Sequence, residues 1–176
     1  NKTIEIHIPA LDGSVQTHSI IIAPERDLDG NIIGALAYGR DITERKQLEV
    51  KLRESESRLR LIFDNISDGL SLMEVIGDGR FSVSEINPAY SAITGFTTNI
   101  LNIPFDESWD TGNGEVKEAV AKLRHIVTTK ERCDLENEVR FSTGKGSRIL
   151  SEVRLPILSP DGQVSHVLCI SRDITE

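Results

Sequence analysis

The stretch GRDITERKQLEVKL, residues 39–52, contains four residues, Asp-Ile-Thr-Glu, that recur 132 positions later in SRDITE at 171–176. The match is longer than this tetrapeptide, because DGNIIGALAYGRDITE (29–44) aligns without a gap with DGQVSHVLCISRDITE (161–176). Solenoid repeats have periods of about 20 to 50 residues, so this period is the length of a whole domain. We therefore predict the end of one domain followed by nearly all of a second copy.

Each copy has the pattern of an antiparallel meander. Asp29-Gly30 and Asp161-Gly162 predict hairpin turns, in which glycine supplies the positive φ. The flanking runs are rich in Ile, Val and Leu, which favour strands. Further upstream, LDGSVQTHSIIIAP (11–24) matches GKGSRILSEVRLPI (144–157) with a slip of one residue. Each copy is thus predicted to end in consecutive paired strands.

A helix is predicted from the first Asp-Ile-Thr to about Asn65. Asp41 or Thr43 is its candidate cap, and Asp41 with Glu44 has the spacing of a capping box. Positions on one side of the helix are spaced alternately by four and three residues: Leu48, Leu52, Ser55, Leu59, Ile62 and Ile66. This is a heptad seam with one polar member, which weakens it and leaves two registers close in energy. We expect a homodimer through this helix; the alternative is that the stripe packs on its own domains.

The second copy predicts a complete domain of strands and helices. Asn87 caps a short helix that starts at Pro88 and ends at Gly95, and the longest helix of the copy lies within GEVKEAVAKLRHIVTTKE (114–131). Five strands complete the order, at 70–76, 80–86, 133–141, 148–158 and 164–173.

INPAYSAITGF (86–96) resembles the Asn-Pro-Ala-aromatic signature of PAS domains, and Asp-Ile-Thr resembles the end of a PAS domain before its signalling helix. The resemblance implies an α+β fold: a PAS-like five-stranded antiparallel sheet with flanking helices around a small pocket. It implies three regions: residues 1–43 as the C-terminal strands (the PAC part) of a preceding PAS domain, 44–65 as a coiled-coil-like connector, and 66–176 as a complete domain. We expect the open sheet edge of 1–43 to be covered by another chain, by the neighbouring domain or by preceding residues.

The resemblance implies a sensory module of a cytoplasmic signalling protein, such as a sensor histidine kinase of a two-component system or a diguanylate cyclase. The expected relay residues are Asp41, Thr43 and Arg45 at the first junction. Asp173 and Thr175 repeat them at the second. Asp41 either fixes the helix exit by pairing with Arg45 or a hairpin residue, or serves as an ordinary cap. The alternative function is a ligand-free dimerisation spacer.

The ligand stays open on sequence grounds. NILNIPFDESW (99–109) lacks the cysteine that photoactive flavin PAS domains carry there. His125 lies opposite the apolar face of its helix, and the position of a haem ligand falls near Ala119, which argues against haem. A small-molecule ligand is possible, with Trp109 and Arg140 as candidate pocket residues. Plain packing and a solvated strand residue are their respective alternatives, and Arg148 is considered with Arg140.

Composition excludes several classes of function. The net charge of −8 argues against nucleic acid, and no apolar run approaches the roughly 18 residues of a membrane helix. Cys133 and Cys169 have no disulfide or metal-site spacing. No phosphate loop, nucleophile elbow or His-Glu-x-x-His is present. We expect no catalysis and no membrane contact in this fragment, a downstream output domain, and a cytoplasmic location; a membrane anchor upstream stays open.

Overall fold

The computed structural model describes residues 2–105, 115–141 and 146–175. The chain divides into two compact units, residues 1–59 and 60–176. The division falls inside the predicted connector helix, and each unit has its own sheet.

The first unit is an antiparallel meander followed by a helix. Strands β1 (Lys2–Pro9), β2 (Val15–Arg26) and β3 (Ile32–Asp41) pair in chain order. Gly30 has a φ of 87° in the turn before β3, as the Asp-Gly pair predicts. Helix α1 runs over Thr43–Asn65, so the predicted meander and connector are both present.

The first unit buries none of its side chains among residues 2–59. Strand β3 lies at the edge of the sheet, and exposed apolar side chains are spread over the strands: Val15, Ile21, Ile32, Ile33, Leu36 and Tyr38. The apolar members of the α1 stripe are also between 37% and 64% exposed: Leu48, Leu52, Leu59, Ile62 and Ile66. The apolar side chains of the stripe are therefore not covered by any other part of the described chain.

The second unit is a five-stranded antiparallel sheet with helices on one face. Its sheet order is β5-β4-β8-β7-β6, and single turns of 3-10 helix lie at Gly77–Gly79 and Thr98–Ile100. The predicted elements are confirmed, with β4 beginning one residue and β7 two residues earlier than predicted: β4 (Gly69–Ile76), β5 (Arg80–Ile86), α2 (Pro88–Thr94), α3 (Glu115–Thr129), β6 (Cys133–Phe141), β7 (Gly146–Leu158) and β8 (Val164–Asp173).

The core lies between this sheet and its helices. Leu123 and Ile126 of α3 are buried, and Ala119 packs against the same cluster. His125 is exposed on the other side of α3, as its spacing predicts. From the sheet and from α2, the core receives Met73, Phe81, Val83, Tyr90, Leu150, Val167 and Cys169.

The two copies repeat strand pairing residue by residue. Ser19 pairs with Arg40 in the first sheet, and Ser151 pairs with Arg172, each 132 positions on, in the second. Both second strands carry a register shift at the same place, Glu25/Arg26 and Ile157/Leu158. The pairs Lys2–Ile22 and Cys133–Arg154 show that only the first strand of the meander is displaced by one residue. The sequence alignment was therefore wrong to shift β2 by one residue, because β2 and β7 match at the same offset of 132 as the rest of the repeat. The second copy instead has one extra residue in the connection between its first two meander strands.

Asn87 joins three segments at the start of the second unit. Its side-chain oxygen accepts hydrogen bonds from the backbone N–H groups of Leu70 and Tyr90, both at 2.8 Å. Its amide group donates to backbone carbonyls at the end of α1 and after it, those of Phe63 (3.2 Å), Ile66 (3.4 Å) and Asp68 (2.9 Å). The predicted helix cap is confirmed, and the same side chain also binds the last turn of α1.

We predict that Asn87→Ala lowers the free energy of unfolding of the second unit by about 2–4 kcal/mol. The change removes a helix cap and leaves buried backbone groups without partners. Urea unfolding followed by the fluorescence of Trp109, the single tryptophan, measures the loss. Asn99→Ala, which removes an exposed turn acceptor, is the control and should cost less than about 1 kcal/mol. Equal losses in the two variants would contradict the role of Asn87.

Candidate functional site

A row of polar side chains crosses the helix-covered face of the second sheet. Arg154 of β7 lies opposite Cys133 of β6 and Cys169 of β8, and Glu152 lies opposite Ser171. Directly opposed residues of antiparallel strands share a face, as do alternate residues of one strand. Because Cys169 belongs to the core, this row faces the helices.

Arg154 and Glu152 form an ion pair within that row. Arg154 Nη2 donates to Glu152 Oε2 at 2.8 Å, and Ser171 Oγ donates to Glu152 Oε1 at 3.1 Å. The side chains of Arg154 and Glu152 are only 10% and 13% exposed. Arg154 Nε and Nη1 are buried without a hydrogen-bond partner in the described part of the chain. The pair therefore has unused donors in the interior, each of which costs about 1–3 kcal/mol when unmet.

Burial and neighbouring groups shift the pKa values of Arg154, Tyr90 and Cys169. Burial is the largest single influence on the pKa of Arg154 and acts to lower it, but Glu152, Cys169 and Cys133 together outweigh burial, and the pKa is raised above its ordinary value. Burial raises the pKa of the Tyr90 phenol of α2, and the charges of Glu152 and Arg154 make smaller contributions of opposite sign. Burial also raises the pKa of the Cys169 thiol to about 12, while a hydrogen bond with Ser71 opposes this shift. Cys169 is thus a neutral thiol at physiological pH, not a nucleophile.

The first copy builds the same strands without the ion pair. Ile20 and Ile22 stand 132 positions before Glu152 and Arg154, and the strand register there is the same. The fold accordingly accepts two apolar residues at these positions. Since buried ion pairs are rarely more stabilising than apolar pairs, the charges of the second copy indicate a function rather than a requirement of folding.

A hydroxyl-centred junction ties β2 to the start of α1. Thr43 Oγ1 accepts from Thr17 N at 2.8 Å, and Ile42 N donates to Thr17 O at 2.8 Å. Asp41 Oδ1 accepts from Thr43 N at 2.9 Å and from Thr43 Oγ1 at 2.6 Å. These bonds, with a smaller contribution from His18, hold the pKa of Asp41 below its usual range. The carboxylate is thus ionised above the ordinary Asp pKa, and the junction weakens only as pH falls through the lowered value.

The second copy builds the same junction, and we call each of the two an Asp-Thr clasp. Ile149 N donates to Thr175 Oγ1 at 2.9 Å, Ile174 N donates to Ile149 O at 2.9 Å, and Thr175 N donates to Asp173 Oδ1 at 3.0 Å. Each residue stands 132 positions after its counterpart. Arg148 Nε lies 3.7 Å from Asp173 Oδ2 of this clasp, and like two nitrogens of Arg154 it is buried without a hydrogen-bond partner among the described residues.

Further ion pairs within the second unit connect the last turns of α1, and the segment after it, to the sheet. Arg60 of α1 pairs with Asp64 at 3.2 Å and with Glu85 of β5. Arg172, next to the second clasp, donates from Nε and Nη2 to both carboxylate oxygens of Asp68, at 3.0 and 2.8 Å. This two-point contact joins the end of β8 to the segment that precedes β4.

The remaining predicted site residues have separate positions. Arg45 is exposed and borders an open groove in the first unit, but the hydrogen bonds of Asp41 are made with Thr43 and not with Arg45. Arg140 lies on β6, its side chain outside the described set, and Trp109 lies outside the described residues. Sequence reasoning missed Glu152 and Arg154. Two sequence features could have identified them. Glu152 and Arg154 share a strand face with the apolar Leu150, and the first copy has isoleucines at the two equivalent positions.

Within residues 2–105, 115–141 and 146–175, no three His, Cys, Asp or Glu side chains gather as metal ligands. None of the described helices has the length and apolar character that a membrane span requires.

A family model described as PAS domain matches residues 71–176. The chain belongs to the PAS domain family. PAS domains are in general sensory or regulatory modules, and the sequence resemblance is thereby confirmed. A comparison with curated proteins finds no match.

Solved PAS structures share the fold. The PAS domain of an HTR-like protein from Haloarcula marismortui is 25% identical, with a TM-score of 0.57, covering 73% of this chain and 99% of that one. A PAS domain from Colwellia psychrerythraea is 17% identical, with a TM-score of 0.56 and coverage of 68% and 96%. The PAS domain of Bordetella pertussis BvgS is 17% identical, with a TM-score of 0.55 and coverage of 70% and 88%. The last two likenesses show the fold alone.

We predict that Glu152→Ile alone destabilises the PAS domain by about 3–5 kcal/mol, because it leaves a buried guanidinium without its carboxylate. The double variant Glu152→Ile with Arg154→Ile copies the first unit and should be as stable as the parent chain, or more stable by about 1–4 kcal/mol. Urea unfolding of both variants forms a mutant cycle. A double variant as unstable as the single one would show that the fold requires the ion pair.

Proposed function

We propose that the chain is the sensory and regulatory part of a cytoplasmic signal-transduction protein, and that it relays conformational change through helices that follow its sheets. The observation that carries this proposal is the Asp-Thr clasp, which is built twice with the same atoms. A strand that holds a helix start by its own backbone transmits any displacement of the strand to that helix.

The proposed relay begins at the second strand of each meander. Both backbone groups of Thr17 are bonded to the start of α1, so a shift of β2 moves Ile42 and Thr43 with it. Lys46 of α1 also pairs with Glu5 of β1 at 3.0 Å. That ion pair is exposed and contributes little, so the clasp is the positioning element.

In the PAS domain the interior row is connected to the second clasp along β7 and β8. Glu152 binds Ser171, which is two positions before Asp173, and Leu150 pairs directly with Asp173. Two to three residues of strand span about 7–10 Å. A ligand that displaces Glu152 would therefore act on the clasp residues Ile149 and Thr175 through a short length of paired strand.

The exposed stripe of α1 supports a homodimer through this helix. Its leucines and Ile62 are more than half exposed, and their spacing is that of a two-helix seam. Ser55 within the seam lowers its stability and suits a relay with two registers.

The output of the protein, such as histidine kinase or diguanylate cyclase activity, is proposed to belong to a downstream domain.

A second candidate is a ligand-free dimerisation spacer. The first unit favours it, because Ile20 and Ile22 replace the ion pair there while the same unit carries the exposed stripe.

We predict that Thr43→Val uncouples α1 from β2, because valine cannot accept the Thr17 N–H. Hydrogen exchange of the Thr17 amide should accelerate about 5- to 10-fold, as expected for the loss of one hydrogen bond. In the full-length protein, Thr43→Val and Asp41→Ala should change the output while the PAS domain stays folded. Thr43→Ser keeps the hydroxyl and is the matched control. Unchanged exchange and output in Thr43→Val would contradict the relay.

We predict that Leu52→Glu combined with Leu59→Glu converts the chain to a monomer in sedimentation velocity at about 50 µM, because two charges in a heptad seam oppose pairing. Ser55→Leu should tighten the dimer. Lys51→Glu, which lies outside the stripe, is the control. A parent chain that already sediments as a monomer would remove the basis for the proposed dimer.

A further inference from the structure

Arg154 has hydrogen-bond donors that its protein neighbours do not use. Glu152 accepts one bond from Nη2, and among the described residues Nε and Nη1 have no hydrogen-bond partner, although the side chain is 90% buried. The same positions hold isoleucines in the first unit, so the strand does not need these donors. Buried donors without a protein partner lower the stability of the fold, and such donors are typical of a site that binds a ligand.

The surroundings of Arg154 define the chemistry of the ligand. Glu152 already balances the guanidinium charge, and the neighbours across the strands are Cys133 and Cys169, which behave as small apolar groups. An anion would place a second negative charge beside Glu152 in a buried site, where repulsion is strong. A carbonyl oxygen or ring nitrogen accepts the same N–H bonds and adds no charge.

We propose that Arg154 and Glu152 bind a small neutral molecule that presents a hydrogen-bond acceptor to Arg154 and a donor to Glu152, as a cyclic amide does. Carboxylate oxygens have lone pairs beyond the single bonds that Arg154 and Ser171 occupy, so acceptor and donor sites lie side by side on the ion pair. Tyr90 of α2 supplies an aromatic ring in the same core cluster as Cys169, the residue directly opposite Arg154. This inference rests on the proposed sensory function and names the class of its ligand.

The experiment uses the whole chain labelled with ¹⁵N and records the arginine Nε–Hε signals. Arg154→Lys identifies the Arg154 signal by its loss. Three probes of similar size are titrated: 2-pyridone as the neutral cyclic amide, benzoate as the anion and fluorobenzene as the apolar control. We expect 2-pyridone to shift the Arg154 signal with a dissociation constant on the order of 1 mM, the range for so small a probe. The signal of Arg172, whose Nε already donates to Asp68, should not move.

The double variant Glu152→Ile with Arg154→Ile tests whether the ion pair is the binding element. It should bind 2-pyridone at least 10-fold more weakly, measured on the backbone amide signal of Cys169. An Arg154 signal that no probe moves, or that benzoate moves at lower concentration than 2-pyridone, would overturn the proposal, as would unchanged affinity in the double variant. The Thr43 variants report on the relay independently, so failure of ligand binding and failure of the relay are distinguishable.

Discussion

A single threonine hydroxyl at the end of each meander determines how sheet and following segment are joined. Thr43 Oγ1 accepts a hydrogen bond from the backbone of β2 and donates one to Asp41. These bonds fix the backbone between the end of β3 and the start of α1. Ile42 adds a backbone bond to the same residue of β2. The three consecutive residues Asp-Ile-Thr thus contribute a carboxylate, an N–H and a hydroxyl, and each has a different task. This explains why the sequence repeats them together.

Comparison of the two copies distinguishes the features that both share from the features that only one copy has. Strand register, the shift near the end of β2 and β7, and the clasp are the same in both. The interior positions differ, with Ile20 and Ile22 in one copy and Glu152 and Arg154 in the other. A comparison within one chain therefore replaces a comparison between relatives. It points to the ion pair as the specialised feature and to the clasp as the shared one.

Local sequence signals predicted most of the elements, because their causes are local. Glycine at Gly30 and Gly162 supplies the turns, alternation supplies the strands, and Asn87-Pro88 with Gly95 bounds α2. The misses are contacts that join distant segments. Asn87 reads as a helix cap, but its amide also binds Phe63 and Asp68, which only the folded chain brings to it. Arg60 likewise pairs with Glu85 of β5, a distant residue, as well as with Asp64 on its own helix.

The candidate site was missed for a related reason. A charged pair two residues apart on a strand has the pattern of a solvated face, and only the layer of helices turns that face inward. Arg154 is buried in the PAS domain, whose core lies between its sheet and the helices α2 and α3. The first unit, which has no such layer among its described residues, has apolar residues at the equivalent positions. Helix α1 links these observations, because its residues up to Leu59 belong to one unit and those from Arg60 belong to the other. The Asp-Thr clasp holds the start of α1 within the first unit, and Asn87 and Glu85 hold its last turns within the second.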